Sequence, residues 1–179
     1  MQHIKFHLKR IVKLIPLRVS VMDVLDCIGN TPLVKLKRIP KKGRVFVKLE
    51  CANVGGSIKD RAALFGIRHM LKTGIINKDT ILIESSSGNT GIGLSLVAAA
   101  LGMKMIVTMP ESMSEERKKL IAAYGAQLIL TPAAEGVLGA YKQAEKLEKE
   151  LPNAKIVGQF TNKAMHLAHS RGTAPEIIH

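Results

Sequence analysis

Ile81-Leu82-Ile83-Glu84-Ser85-Ser86-Ser87-Gly88-Asn89-Thr90-Gly91 decides how the rest of the chain is read. A short apolar run gives way to a loop of hydroxyls and glycine, and small residues then continue at helical length. The pattern predicts a strand over 80–84, a tight loop, and a helix over 90–101 that Gly102 stops. Amides at the start of such a helix point into the loop, so hydrogen bonding and the helix dipole together favour an anion there. Ser86, Ser87 and Thr90 add hydroxyl donors, and Asn89 carries a donor and an acceptor on one side chain. Gly91 and Gly93 predict close packing of the helix on a sheet. The glycines read G-x-x-G-x-G, the reverse of the dinucleotide fingerprint, and no lysine follows them as in a P-loop. These residues alone leave two readings: a carboxylate or phosphate site, or a polar helix cap without a ligand.

The same strand–loop–helix rhythm extends in both directions. Strands are predicted over 45–49, 104–109, 127–130 and 155–157, and helices over 60–71, 114–124 and 137–151, with Gly74, Gly125 and Pro152 among the breakers. This alternation predicts an α/β fold, a parallel sheet with helices on both faces joined by right-handed crossovers. Ligands in such folds bind beyond the carboxyl ends of the strands.

A second chemical segment lies upstream, at Asn53-Val54-Gly55-Gly56-Ser57-Ile58-Lys59-Asp60-Arg61. Two glycines make a flexible turn, and Ser57 with Asp60 three residues on has the form of a capping box. Lys59 then falls in the first helical turn. A cation is disfavoured at the positive end of a helix, which makes its amine more available as a nucleophile. The other reading is a solvated lysine beside Asp60 and Arg61.

Composition narrows the partners. Apolar residues make up 46% of the 179 positions, enough for a globular core. The longest nearly apolar stretch, 92–103, is too short to span a bilayer and reads as a buried helix. Cys27 and Cys51 form no C-x-x-C pair and no histidine cluster has metal spacing, which predicts two reduced thiols, a cytoplasmic protein and no metal. The formal charge is +13, but the basic residues are scattered and only two tyrosines are available for stacking, so no nucleic acid is expected. Residues 1–21 hold Lys5, Lys9, Arg10, Lys13 and Arg18 and no acid, with Ile4, Leu8, Ile11 and Ile15 on one helical face. This basic N-terminal extension reads as an overlong start before Met22, a short added segment, or an amphipathic targeting or interfacial helix. Residues 22–179 form the main unit.

The two chemical segments, in this order, resemble the cysteine synthase and cystathionine β-synthase family of fold-type II pyridoxal-phosphate enzymes. The likeness runs from Ile28-Gly29-Asn30-Thr31-Pro32-Leu33 to Pro175-Glu176-Ile177. Gly55-Gly56-Ser57-Ile58-Lys59-Asp60-Arg61 is similar to the cofactor-lysine motif, and Ser87-Gly88-Asn89-Thr90-Gly91 to the substrate-carboxylate loop. Met109-Pro110-Glu111-Ser112-Met113-Ser114 with Arg117, and Gln159-Phe160-Thr161-Asn162, are typical of this branch. The resemblance implies a tryptophan synthase β-subunit-like fold and pyridoxal 5'-phosphate as cofactor. Lys59 would hold the cofactor as a Schiff base and move protons, and Asn89 would hydrogen-bond its ring hydroxyl. Ser86, Ser87, Asn89, Thr90 and Gln159 would hold the substrate α-carboxylate. The implied reaction is β-replacement: O-acetylserine or another O-activated serine loses its α-proton and leaving group, and the aminoacrylate takes up sulfide to give L-cysteine. The protein would supply orientation and electrostatics to the cofactor's chemistry. A homodimer is implied.

Several positions depart from the family pattern. Val54 stands where proline is usual and Ser86 where threonine is usual; Lys163, Met165, His166 and Ala174 replace prolines, an asparagine and a glycine. The late cluster suggests relaxed constraint there. The family's phosphate-cradling loop, and the residue meeting its pyridine nitrogen, would fall beyond His179, so a truncated form of the fold is expected. Two other functions stay open: cystathionine β-synthase or another activated-serine β-replacement enzyme, and an inactive fragment or partner-binding module.

Overall fold

The computed structural model describes residues 22–38 and 42–178. The expected basic extension, 1–21, lies outside the described residues.

Four short apolar runs form one parallel sheet: β3 (Ile81–Ser85), β4 (Met105–Pro110), β5 (Gln127–Thr131) and β6 (Ala154–Ile156). Their order is β5-β4-β3-β6, with Ile83 opposite both Ile106 and Ile156. The chain steps outward from β3 to β5 and then returns past both strands to place β6 on the far side of β3. Right-handed crossovers put the helices of the two directions on opposite faces. Thus α2 (Asn89–Ala100) and α3 (Glu115–Ala123) lie on one face, and the returning α4 (Gly136–Glu150) lies on the other, against all four strands. The alternation of strand side chains serves both faces: Leu82, Met105 and Val107 join the larger core, while Ile83 and Ile106 meet Ala144 of α4.

The larger core continues into α1 (Lys59–Lys72), which buries Ala63, Leu64, Ile67 and Met70. Its main partner is α2, in which every residue from Thr90 to Ala98 is buried. A helix apolar on all sides belongs inside a fold, as the sequence predicts for this stretch. Short helical turns follow β6: α5 (Ala164–Ala168), a π-helical segment over His169–Thr173, and α6 (Ala174–Ile178).

The sheet differs from expectation in one strand. Residues Phe46–Lys48 form β2, but β2 pairs antiparallel with β1 (Leu33–Lys35), which the sequence pattern had not suggested, in a separate two-stranded sheet. Both strands are three residues long and largely exposed, so the apolar run Val45-Phe46-Val47 is not covered by helices as a central parallel strand would be. The α/β class with helices on both faces stands; the parallel sheet has four strands.

Candidate active site

The order of progress along the sheet reverses between β3 and β6, which opens a crevice beyond their carboxyl ends. The loop after β3 and the turn after β6 both face it, and α1 begins beside it.

Lys59 reaches the crevice because of how α1 starts. Gly56 N–H donates to Asn53 O (2.8 Å), and Ser57 Oγ accepts the Lys59 N–H (3.1 Å). The expected capping box is not formed: the N-cap is Ile58, Ser57 Oγ takes the amide of Lys59 rather than that of Asp60, and Asp60 Oδ2 accepts the Gly55 N–H at 2.6 Å. A Cβ at Gly55 would sit 2.6 Å from Asp60 Oδ1, so only glycine fits under this carboxylate. Asp60 is fully buried, its Oδ1 has no partner, and burial pushes its carboxyl above the ordinary range.

Gly93 of α2 meets the same place. A Cβ there would approach Asp60 N, Asp60 Oδ1 and Lys59 C at 3.2 Å. Gly91 instead faces Ser86 O (3.2 Å) and Ile121 Cδ1 (3.3 Å). The close approach that these glycines permit is therefore to α1, to α3 and to their own loop, rather than to the sheet. It brings Lys59 alongside the loop at the start of α2.

That loop is tied from within. Buried Ser86 donates its N–H to Thr108 O (3.1 Å), and its Oγ accepts the N–H groups of Gly91 (2.9 Å) and Gly88 (3.4 Å). Its hydroxyl hydrogen is left to donate outward. Gly88 occupies the N-cap of α2 and has no side chain to offer, so the side-chain acceptor in the first turn is the Ser86 hydroxyl, which takes the Gly91 N–H, and no acid stands there. Lys59, Ser86, Ser87, Asn89, Thr90 and Gln159 all line one open pocket of about 350 Å³, with Val137, Tyr141 and Phe160 at its rim. The amine and the hydroxyl loop that the sequence singles out are thus brought together. Lys59, Thr90 and Gln159 also line a neighbouring pocket of about 220 Å³ that holds His166 and His169.

Gln159 is set by residues that sequence reasoning missed. Its Nε2 donates to Ser85 O (2.8 Å), while buried Glu84 accepts the backbone N–H groups of Gly158 and Gln159. A carboxylate at the end of an apolar strand was the available signal. His169, with Nδ1 3.2 Å from Thr173 Oγ1, was also passed over; burial first, and then Lys59, push its imidazole below the usual range. Met165, one of the departures from the family pattern, is buried against Gly66 of α1.

Arg61 holds the outer segments to α1. Its guanidinium pairs with Glu50 (2.7 Å) and Glu176 (2.6 Å) and donates to Thr31 Oγ1 (3.2 Å), while Lys48 also pairs with Glu176. Thr31 and Glu176, near the two ends of the family-like stretch, therefore converge on one buried side chain.

The profile of the family described as pyridoxal-phosphate dependent enzyme matches residues 24–179. The chain belongs to this pyridoxal-phosphate dependent enzyme family. Among its relatives within that family is a cysteine synthase of a Flavobacterium species, 49% identical over 157 residues, or 87% of this chain and 51% of that protein. A hydrogen sulfide-producing enzyme from Fusobacterium nucleatum superposes with a TM-score of 0.83 at 44% identity, over 88% of this chain and 53% of the other. An O-acetylserine dependent cystathionine beta-synthase from Helicobacter pylori superposes with a TM-score of 0.82 at 38% identity, over 88% and 53%. The chain spans about half the length of the curated relatives it matches. The resemblance read from the motifs is thereby established, and pyridoxal phosphate is the cofactor of the family.

Proposed function

We propose that this chain carries the lysine-bearing half of a cysteine synthase-type site, in which L-cysteine is formed from an O-activated serine, O-acetylserine in the first instance, and sulfide. The observation that carries this is one pocket shared by the Lys59 amine and the acid-free, hydroxyl-lined start of α2. The donor set fits the family's cofactor and its amino-acid substrate: an exposed amine for an aldehyde, and hydroxyls with free helix-end amides for a carboxylate. Bound there, pyridoxal 5'-phosphate supplies the electron sink for carbanion chemistry at the amino acid.

The chain's own residues do the rest. Lys59 would hold the cofactor through its amine, and the same amine is placed to move the proton at the substrate Cα. Asn89 meets the ring hydroxyl. Ser86, Ser87, Asn89, Thr90 and Gln159 hold the α-carboxylate and so fix the angle at which that proton leaves. Ser86 keeps the hydroxyl of the usual threonine and uses its lone pairs to close the loop.

The same proposal takes residues 1–21 as an extension separate from the unit at 22–179, which accords with a family match that begins at residue 24. It places the protein in the cytoplasm, in keeping with the free thiols of Cys27 and Cys51, and as a homodimer by family. Among the described residues no helix is long and apolar enough to cross a membrane.

The test is chemical. The protein is mixed with pyridoxal phosphate and reduced with borohydride, and the modified residue is located by peptide mass. Label concentrated on Lys59, with cysteine released from O-acetylserine and sulfide, is expected. Label spread evenly over the exposed lysines would end the proposal. A second reading, a partner-binding module without catalysis, draws on the apolar rim, where Phe160 is 82%, Val137 64% and Leu138 63% exposed. Label on Lys59 without cysteine formation would favour it. Cystathionine formation from an activated serine and homocysteine would assign the acceptor instead to the cystathionine β-synthase type.

A further inference from the structure

Glu84 is a carboxylate that the reaction proposed above does not use, and it is 3% exposed. Its position follows from the sheet. β3 and β6 run parallel with Ile83 opposite Ile156, and the Val157 N–H still donates to Ile83 O at 3.0 Å. The chain then leaves the sheet at Gly158, whose φ is +78°. The next two amides lose their strand partner inside the protein, where an unmet N–H is costly. Glu84 Oε2 accepts both, from Gly158 at 2.8 Å and from Gln159 at 3.1 Å. Its Oε1 accepts the Ser85 N–H at 3.2 Å. Glu84 thus grips the end of its own strand and the turn beyond the neighbouring strand. Gln159 lies over Ser85, its Nε2 2.8 Å from Ser85 O, on the wall of the pocket.

We propose that Glu84 is a positioning residue: its carboxylate fixes the turn at Gly158–Gln159 so that Gln159 is held ready for the α-carboxylate of the amino-acid substrate. This rests on the reading of the pocket as an amino-acid site. Burial pushes the carboxyl of Glu84 above its usual range, and the amides of Gln159, Gly158 and Ser85 oppose that push. A strand end of this kind needs no charge for the sheet itself; a short turn closed by backbone alone would do. One carboxylate oxygen takes the two adjacent amides while the other takes the Ser85 N–H, and Gln159 Nε2, bound through one hydrogen to Ser85 O, keeps its second hydrogen for a ligand.

The full chain, mixed with pyridoxal phosphate, is titrated calorimetrically with L-serine as wild type, Glu84→Gln, Gln159→Ala and the double variant. Amide exchange at Gly158 and Gln159 is followed by NMR in the same samples. Glu84→Gln keeps the shape of the side chain but puts an NH2 group against either the Ser85 N–H or the Gly158 and Gln159 N–H groups, donor against donor, so that the shared grip is broken. Exchange at both amides is expected to rise about tenfold and the L-serine dissociation constant to rise about tenfold. The double variant is expected to bind no more weakly than Gln159→Ala alone, because the first change acts through the second residue. Gly158→Ala supplies an independent check, since a Cβ there would meet Thr161 Oγ1 at 2.6 Å and displace the turn while Glu84 stays intact. It too should weaken L-serine. A wild type that does not bind L-serine overturns the amino-acid site and the role of Glu84 with it. A wild type that binds, with Glu84→Gln unchanged or strictly additive to Gln159→Ala, overturns the role of Glu84 alone.

Discussion

Two helices begin at the pocket, and they are finished in opposite ways. The start of α1 carries an acid of its own: Asp60 stands in its first turn with its carboxyl on the Gly55 amide of the preceding turn, Ser57 takes the Lys59 amide, and Arg61 is neutralised by Glu50 and Glu176. The start of α2 has a glycine at its N-cap and no acid in its first turn, and the side chain that takes its Gly91 amide is a neutral hydroxyl, that of Ser86. Helix N-termini attract negative charge by the same physics in both places. In α1 the attraction is used up by residues of the fold, and what remains to face the crevice is the Lys59 amine. In α2 it is left for a ligand. The difference divides the labour of the site between a fixed nucleophile and an anion seat free of acids.

The largest test of this division is Lys59→Ala. Borohydride labelling at this position should vanish, while the stability of the protein, judged by urea unfolding, should stay within about 0.5 kcal/mol because the side chain is exposed. Label that persists at similar yield elsewhere would show that α1 presents no special amine. The next is to give α2 the cap that it lacks. At Gly88, φ is −133° and ψ −157°, which any residue adopts, and a Cβ there meets nothing within 4 Å. Gly88→Asp would supply an internal carboxylate to the free amides. It should stabilise the helix by a few tenths of a kcal/mol, about the usual gain over glycine at that position. It should also weaken L-serine about tenfold or more, because the seat is filled and the new charge repels. Unchanged L-serine binding would sink the anion seat.

A smaller effect should follow from Gly93→Ala. The new methyl would press on the backbone of Lys59 and Asp60, which cannot swing aside as a side-chain tip can. A loss of about 1–3 kcal/mol in urea unfolding is expected for such overpacking. Full stability would mean that the two helix starts do not depend on this contact for their spacing.

The sequence made some of this legible and hid the rest for physical reasons. The strand–loop–helix at 81–101 reads directly, because an apolar run, a glycine-rich turn and a small-residue helix are local signals. The convergence of Lys59 with Ser86–Thr90 was legible only through resemblance, since a single lysine in a helix turn has an ordinary solvated explanation. The pairing of β2 with β1 was hidden because both strands are short and exposed, and neither alternates clearly. The capping box failed because Asp60 found a nearer amide in a glycine turn whose shape no local rule supplies. Glu84 and Arg61 were hidden because their partners lie 74 and 115 residues away. Long-range polar contacts leave no periodic trace.

The last prediction concerns how firmly α1's acidic surround is held. Hydrogen bonds from the Arg61 guanidinium, opposed by burial and joined by Lys48 and the Asn30 N–H, hold the Glu176 carboxyl at about 2, against an ordinary 4.5. A carboxyl whose folded value lies below its unfolded value adds stability that is complete above about pH 4.5. That stability is lost as pH falls from there toward 2. Asp60 and Glu84 act in the opposite sense, since burial raises them and their ionisation weakens the fold as pH rises. Total stability against pH therefore mixes the signs, and the informative quantity is the difference between wild type and Glu176→Gln. That difference should be greatest near neutral pH and shrink steadily between pH 4.5 and 3 in thermal unfolding. It should remain modest, because Glu176 is partly exposed and solvent screens the pair. Parallel curves would mean that Arg61 is satisfied by Glu50 alone. The last helix would then be held to the start of α1 by packing rather than by charge.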